Sequence, residues 1–183
     1  SGATLSEVAH LLRDFFDELA VLVKDKSETI VVVACAGEND IANDLPLDTS
    51  LMSLKLFLEI LFGNDEIDHP TITKLVFLGP KFEPWLEDDP SYKKKYSKMS
   101  RSFQRCLTSH PESARIDYVD CLTMFCGETA GLPGATLAGR ASAQENYFSS
   151  DRLHLSAEGY RIWKGKVEAY LEKLDATGSK TTD

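Results

Sequence analysis

Asp151-Arg152-Leu153-His154 places a carboxylate three residues ahead of an imidazole in an irregular segment. A carboxylate on one ring nitrogen fixes the tautomer and leaves the other nitrogen to take a proton, which is the general-base half of acyl transfer. D-x-x-H arises easily by chance. In isolation the plainer reading is a turn capped by Asp151, with His154 packed on the next helix. Gly37-Glu38-Asn39-Asp40, just past the apolar run Thr29 to Ala36, supplies a second kind of group. An asparagine N–H beyond a strand can donate to a developing oxyanion; as a turn residue it would instead bond local backbone. The backbone N–H of Gly2 is a third candidate, against the plain alternative of a flexible residue near a terminus. A nucleophile is missing from this set. Ser50 and Ser53 fall in a helical pattern, Ser149 and Ser150 crowd beside Asp151, and the sequence holds no G-x-S-x-G turn.

These groups need elements to bring them together. Leu5, Val8, Leu12, Phe16, Leu19 and Val23 recur at three and four, which predicts an amphipathic helix. Thr29 to Ala36 reads as a strand buried on both faces, as in a parallel sheet. A helix is expected from about Thr49 to Phe62, stopped by Gly63-Asn64. Lys74 to Pro80 is the next buried strand, and Tyr92, Tyr96, Met99, Phe103 and Leu107 mark another helical stripe. Arg115 to Asp120 is a short third strand. Gly127 to Ser150 is a long loop of the kind that is often functional. Ser156 is a suitable N-cap for a last helix with Tyr160, Trp163, Val167, Tyr170 and Leu174 along one face. Residues 1–175 form one domain, and 176–183 a frayed tail. Alternating strands and helices predict an α/β doubly wound fold, whose sites gather at the carboxyl ends of the strands. The segment after the first strand and the loop before the last helix can then meet at one edge.

The chain has 183 residues and a net charge of −9. A phosphate backbone would repel it, so nucleic acid is not an expected partner. No stretch is long and apolar enough to span a membrane. Cys35, Cys106, Cys121 and Cys126 show no zinc-ligand spacing and are expected as free thiols, with Cys35 and Cys121 small buried residues. Lys93, Lys94, Lys95, Lys98, Arg101 and Arg105 put a basic stripe on one helix, which reads as a solvated face. Gly127 to Gly139 lacks the Gly-Lys-Ser/Thr of a phosphate loop.

Taken together the residues resemble the SGNH hydrolases, or GDSL-type esterases and lipases. Gly37, Asn39 and Asp40 match the family's G-x-N-D block, and Asp151 and His154 match its D-x-x-H block. Leu155-Ser156-Ala157-Glu158-Gly159-Tyr160 is similar to what trails that block, and Ser1-Gly2-Ala3-Thr4-Leu5 to the end of the glycine block. The resemblance implies a three-layer, flavodoxin-like α/β/α fold and two-step hydrolysis of a small ester without metal or cofactor. Asp151 would orient His154, His154 would deprotonate a serine, and Asn39 and Gly2 would hold the oxyanion, with Gly37 and Asp40 supporting. The family's nucleophile block would lie upstream of Ser1, in a further unit of about 30 residues or more. This chain is therefore expected to be inactive or nearly so by itself, with Thr29 to Ala36 left as an exposed apolar edge. Two other readings stand beside this one. The first is a non-catalytic relative that binds ligands or partners. The second is an unrelated flavodoxin-like domain, in which Asn39 and His154 would lie far apart.

Overall fold

The computed structural model describes residues 2–22, 30–63, 72–86, 89–126 and 145–178. Its order is α1 (Leu5–Leu22), β1 (Ile30–Cys35), α2 (Glu38–Ala42), α3 (Leu47–Phe62), β2 (Ile72–Leu78), α4 (Pro90–Thr108), β3 (Ile116–Val119), α5 (Cys121–Cys126) and α6 (Ala157–Gly178). Among the described residues this is a mixed α/β fold around a three-stranded parallel sheet in the order β1-β2-β3. The register runs from Val31 against Lys74 to Cys35 against Leu78, and from Leu75 against Ile116 to Leu78 against Val119. Parallel neighbours need a crossover, and α3 and α4 lie in the two connections.

Local chemistry explains where the helices start and stop. Asp89 caps α4 by accepting from the Ser91 N–H at 2.8 Å, with Pro90 at the first turn, where its missing N–H costs nothing. Gly63 closes α3 by donating to the Glu59 carbonyl at 2.8 Å. Ser156 Oγ accepts from the Gly159 N–H at 3.2 Å and opens α6. That helix runs to Gly178, into the stretch expected as a tail.

The core forms where helices meet the sheet. Phe77 on β2 lies edge-on to Phe57 of α3 and to Phe103 of α4, with centroids 6.2 and 5.9 Å away. All three rings are buried, and burying each contributes roughly 1.5–3 kcal/mol. Trp163 on α6 donates its indole N–H to Cys121 Sγ at 3.3 Å, so a buried thiol joins α6 to α5.

Several expectations are corrected. Among the described residues β1 is the sheet's edge, as expected for Thr29 to Ala36, but Val33 is 44% exposed and Cys35 is exposed rather than buried. The strand is therefore not buried on both faces, because no described strand covers its far side. Cys121, two residues past β3, begins the short α5 and is buried as expected. The G-x-N-D segment is a turn of helix, α2. The long loop is outside the described residues as far as 144. From there Glu145–Tyr147 makes a 3-10 turn, and Phe148 pairs antiparallel with Leu155. No helix among the described residues is long and apolar enough to cross a membrane.

Candidate active site

The segment between Phe148 and Leu155 is a small closed loop that carries Asp151 and His154. Ser149 N–H donates to the His154 carbonyl at 2.8 Å, and Arg152 N–H to the Ser149 carbonyl at 2.9 Å. Arg152 sits in the left-handed region at φ 58°, turning the chain so that Asp151 and His154 face each other. His154 Nδ1 lies 2.7 Å from Asp151 Oδ2. The other carboxylate oxygen, Oδ1, accepts from Ser149 Oγ at 2.7 Å and from the Leu153 and His154 N–H groups at 2.9 and 3.0 Å. The bond from His154, then those from Ser149 and the two amides, hold the Asp151 carboxyl well below the usual carboxylate range. An ionised Asp151 can only accept, so Nδ1 carries a proton, and in the neutral imidazole Nε2 presents a lone pair. The pair is open, with side chains 71% and 50% exposed for His154 and Asp151, so a bound substrate would have to exclude water from it.

The second half of the site is built on α2, at the carboxyl end of β1. Gly37 precedes it at φ 110°, and an added Cβ would meet Phe103 Cε2 at 2.9 Å, so the position tolerates only glycine without strain. Asp40 is buried, and its Oδ2 accepts from the Leu5 N–H at 2.8 Å, tying α2 to the start of α1. Asn39 Nδ2 donates to the Ala3 carbonyl at 3.0 Å, leaving one amide proton with no partner among the described residues. Gly2 packs so closely on this amide that a Cβ there would lie 2.6 Å from Nδ2.

These halves meet. Gly2, Asn39, Leu153 and His154 line one cleft of about 320 Å³, together with Glu38, Lys81 and Glu83. Asn39 and His154 thus line the same cleft. Asp151 stands behind His154, Asp40 and Gly37 hold the backbone of α2, and neither of those two lines the cleft. Ser50 and Ser53 are buried within α3, away from it, whereas Ser149 is spent on Asp151.

Glu38, Lys81 and Glu83 were not among the expected site residues. Lys81 Nζ donates to Glu38 Oε2 at 2.7 Å and to Glu83 Oε1 at 3.1 Å. Glu83 Oε2 accepts from Trp85 Nε1 at 2.9 Å and from Tyr96 OH at 3.4 Å. Burial alone would lower the Lys81 pKa, but the two carboxylates outweigh it and hold the ammonium above its ordinary value. Burial raises the Glu83 carboxyl against the pull of Lys81. The sequence signal for this cluster was Lys81-Phe82-Glu83-Pro84-Trp85, charges set between apolar residues just past a buried strand.

Among the described residues no cluster of three or more His, Cys, Asp or Glu side chains could hold a metal ion. The arrangement offers a proton acceptor at His154 Nε2 and an amide donor at Asn39 across a small cleft. Searches of protein-family models and of curated proteins find no match to this chain.

Proposed function

We propose that the chain is the larger part of a serine esterase of the SGNH type, with a three-layer flavodoxin-like fold. It would hydrolyse small carboxylic esters by acyl transfer, with the nucleophilic serine lying outside these 183 residues. The observation that carries this reading is the shared cleft. A histidine bonded to an ionised carboxylate lines one cleft with Asn39 and Gly2, which supports reading them as the acid–base and oxyanion parts of one reaction. In the reaction, His154 Nε2 takes the serine proton as the hydroxyl attacks the ester carbonyl, and Asp151 stabilises the imidazolium. Asn39 Nδ2 and the Gly2 N–H bind the oxyanion, and His154 then returns the proton to the leaving alcohol. Water repeats the sequence on the acyl-enzyme.

The test is hydrolysis of p-nitrophenyl acetate by the full natural protein. Asp151→Asn is expected to lower kcat by about 10⁴-fold with the fold intact. The 183-residue chain alone should show no turnover that depends on His154. Absence of turnover in the full protein, or its persistence in His154→Ala, would overturn the reading.

A second reading, a non-catalytic ligand- or partner-binding domain, is favoured by one observation. None of the described residues lining the cleft is a serine, threonine or cysteine. The intact mass and N-terminal sequence of the natural protein separate the two. A mass above 20.3 kDa with a Gly-Asp-Ser-like segment near its start supports the esterase; a natural start at Ser1 supports the binding domain.

A further inference from the structure

Asn39 lies between two anchored residues. On one side Asp40 reaches the start of α1 through the Leu5 N–H. On the other, Glu38 reaches the segment after β2, its Oε1 accepting from the Lys81 N–H at 3.0 Å and its Oε2 from Lys81 Nζ at 2.7 Å. α2 spans only five residues, too few to set its own direction, so these anchors fix where Asn39 stands. The Lys81 anchor is itself held. Lys81 is 8% and Glu83 4% exposed, and Glu83 is gripped by Trp85 and Tyr96.

A chain of three charges, two of them buried and Glu38 half-buried, is a poor source of stability. Its desolvation offsets most of the Coulomb attraction, and apolar packing of similar volume serves as well or better. What such a chain does supply is direction, because each bond has a fixed length and angle. Here it runs from the β2 segment along the wall of the cleft and ends on the residue next to Asn39.

We propose that Lys81 is a positioning residue for Asn39, acting through Glu38, so that the variable place in G-x-N-D is a working position in this chain. The proposal rests on the esterase reading for its catalytic consequence, although the positioning itself can be measured without turnover. Lys81 touches no reacting atom; it sets the angle at which the Asn39 amide meets the oxyanion.

Two variants release the side-chain anchor without leaving Lys81 or Glu83 as an unpaired buried charge. Glu38→Ala leaves Lys81 neutralised by Glu83. Lys81→Met combined with Glu83→Gln removes one charge of each sign. In the ¹⁵N-labelled 183-residue chain, both are expected to shift or broaden the Asn39 side-chain amide pair, which reports its bond to the Ala3 carbonyl, while Glu38→Gln largely restores it. In the full natural protein, either variant should lower kcat for p-nitrophenyl acetate by about 10- to 100-fold with KM unchanged within about twofold, because an oxyanion donor acts in the transition state. Combining them should do no more than either alone, as expected for residues in one chain of action.

An unmoved Asn39 amide overturns the proposal, as does unchanged kcat in an active protein, and the esterase reading then survives. A full-length protein without turnover whose Asn39 amide still follows Lys81 gives the reverse: the positioning stands and the esterase reading falls. A purely structural role would lower the melting temperature and leave kcat and the amide in place.

Discussion

Gly37→Ala tests, in energy terms, how the segment that carries Asn39 is held. Two costs add at this position. Gly37 sits at φ 110°, and moving a residue with a Cβ into left-handed backbone costs about 1–2 kcal/mol. The new methyl would also lie 2.9 Å from Phe103 Cε2 and 3.2 Å from Met99 Sδ. Phe103 is fully buried and packed edge-on against Phe77, so it has little room to yield. Overpacking of this kind costs about 1–3 kcal/mol. The sum, about 2–5 kcal/mol, is a large part of the roughly 5–15 kcal/mol that holds an ordinary domain together. Urea unfolding followed by Trp85 and Trp163 fluorescence reads it directly. With a slope of about 1–3 kcal/mol per molar, the midpoint should fall by roughly 1–3 M while the slope stays constant. The two costs separate in a Phe103→Leu background, where the steric part shrinks and the backbone part remains. An unfolding free energy within about 0.5 kcal/mol of the parent in both backgrounds would refute the reasoning, since neither strain nor collision would then be present.

Two further predictions concern the acid–base pair and the sheet edge. The folded Asp151 pKa is depressed, so its contribution to stability is complete above the ordinary carboxylate value of about 3.9 and is lost only as pH falls through the lower folded value. A carboxyl-carbon NMR titration should therefore show Asp151 still ionised at about pH 3.9, and an ordinary midpoint there would contradict the bonding described. Val33→Lys, on the exposed edge of β1, should reduce self-association of the 183-residue chain in sedimentation velocity, because a charged edge discourages strand pairing; unchanged association would show that the edge is not the sticky surface.

The long elements were legible in the sequence because their periods repeat several times. Leu5 to Phe16 completes three turns of apolar spacing, and β2 carries the apolar run Leu75 to Leu78, bounded by Gly79-Pro80. α2 and α5, at five and six residues, are too short for a period to show. Cys35 was misjudged for a different reason. Burial of a strand depends on the strand beside it, and β1 has a described neighbour on one side only. Asp151 and His154 were readable because the chemistry of the pair is local. Lys81 was not, because a lysine in a sequence looks solvated until a fold sets Glu38 and Glu83 on either side of it.

The separation in sequence of these contacts bears on how the cleft comes into being. Every bond that holds Asp151 to His154 and Ser149 lies within five residues, so this half can form as soon as its loop closes, at small entropic cost. The Asn39 half depends on contacts 36, 35 and 43 residues apart, to Ala3, from Leu5 to Asp40 and from Lys81 to Glu38. Those closures are as long as the ones that pair the parallel strands, Val31 with Lys74 being 43 residues apart. The Asp151–His154 pair therefore needs only short loops to close, whereas Asn39 is placed only by contacts as non-local as the sheet itself.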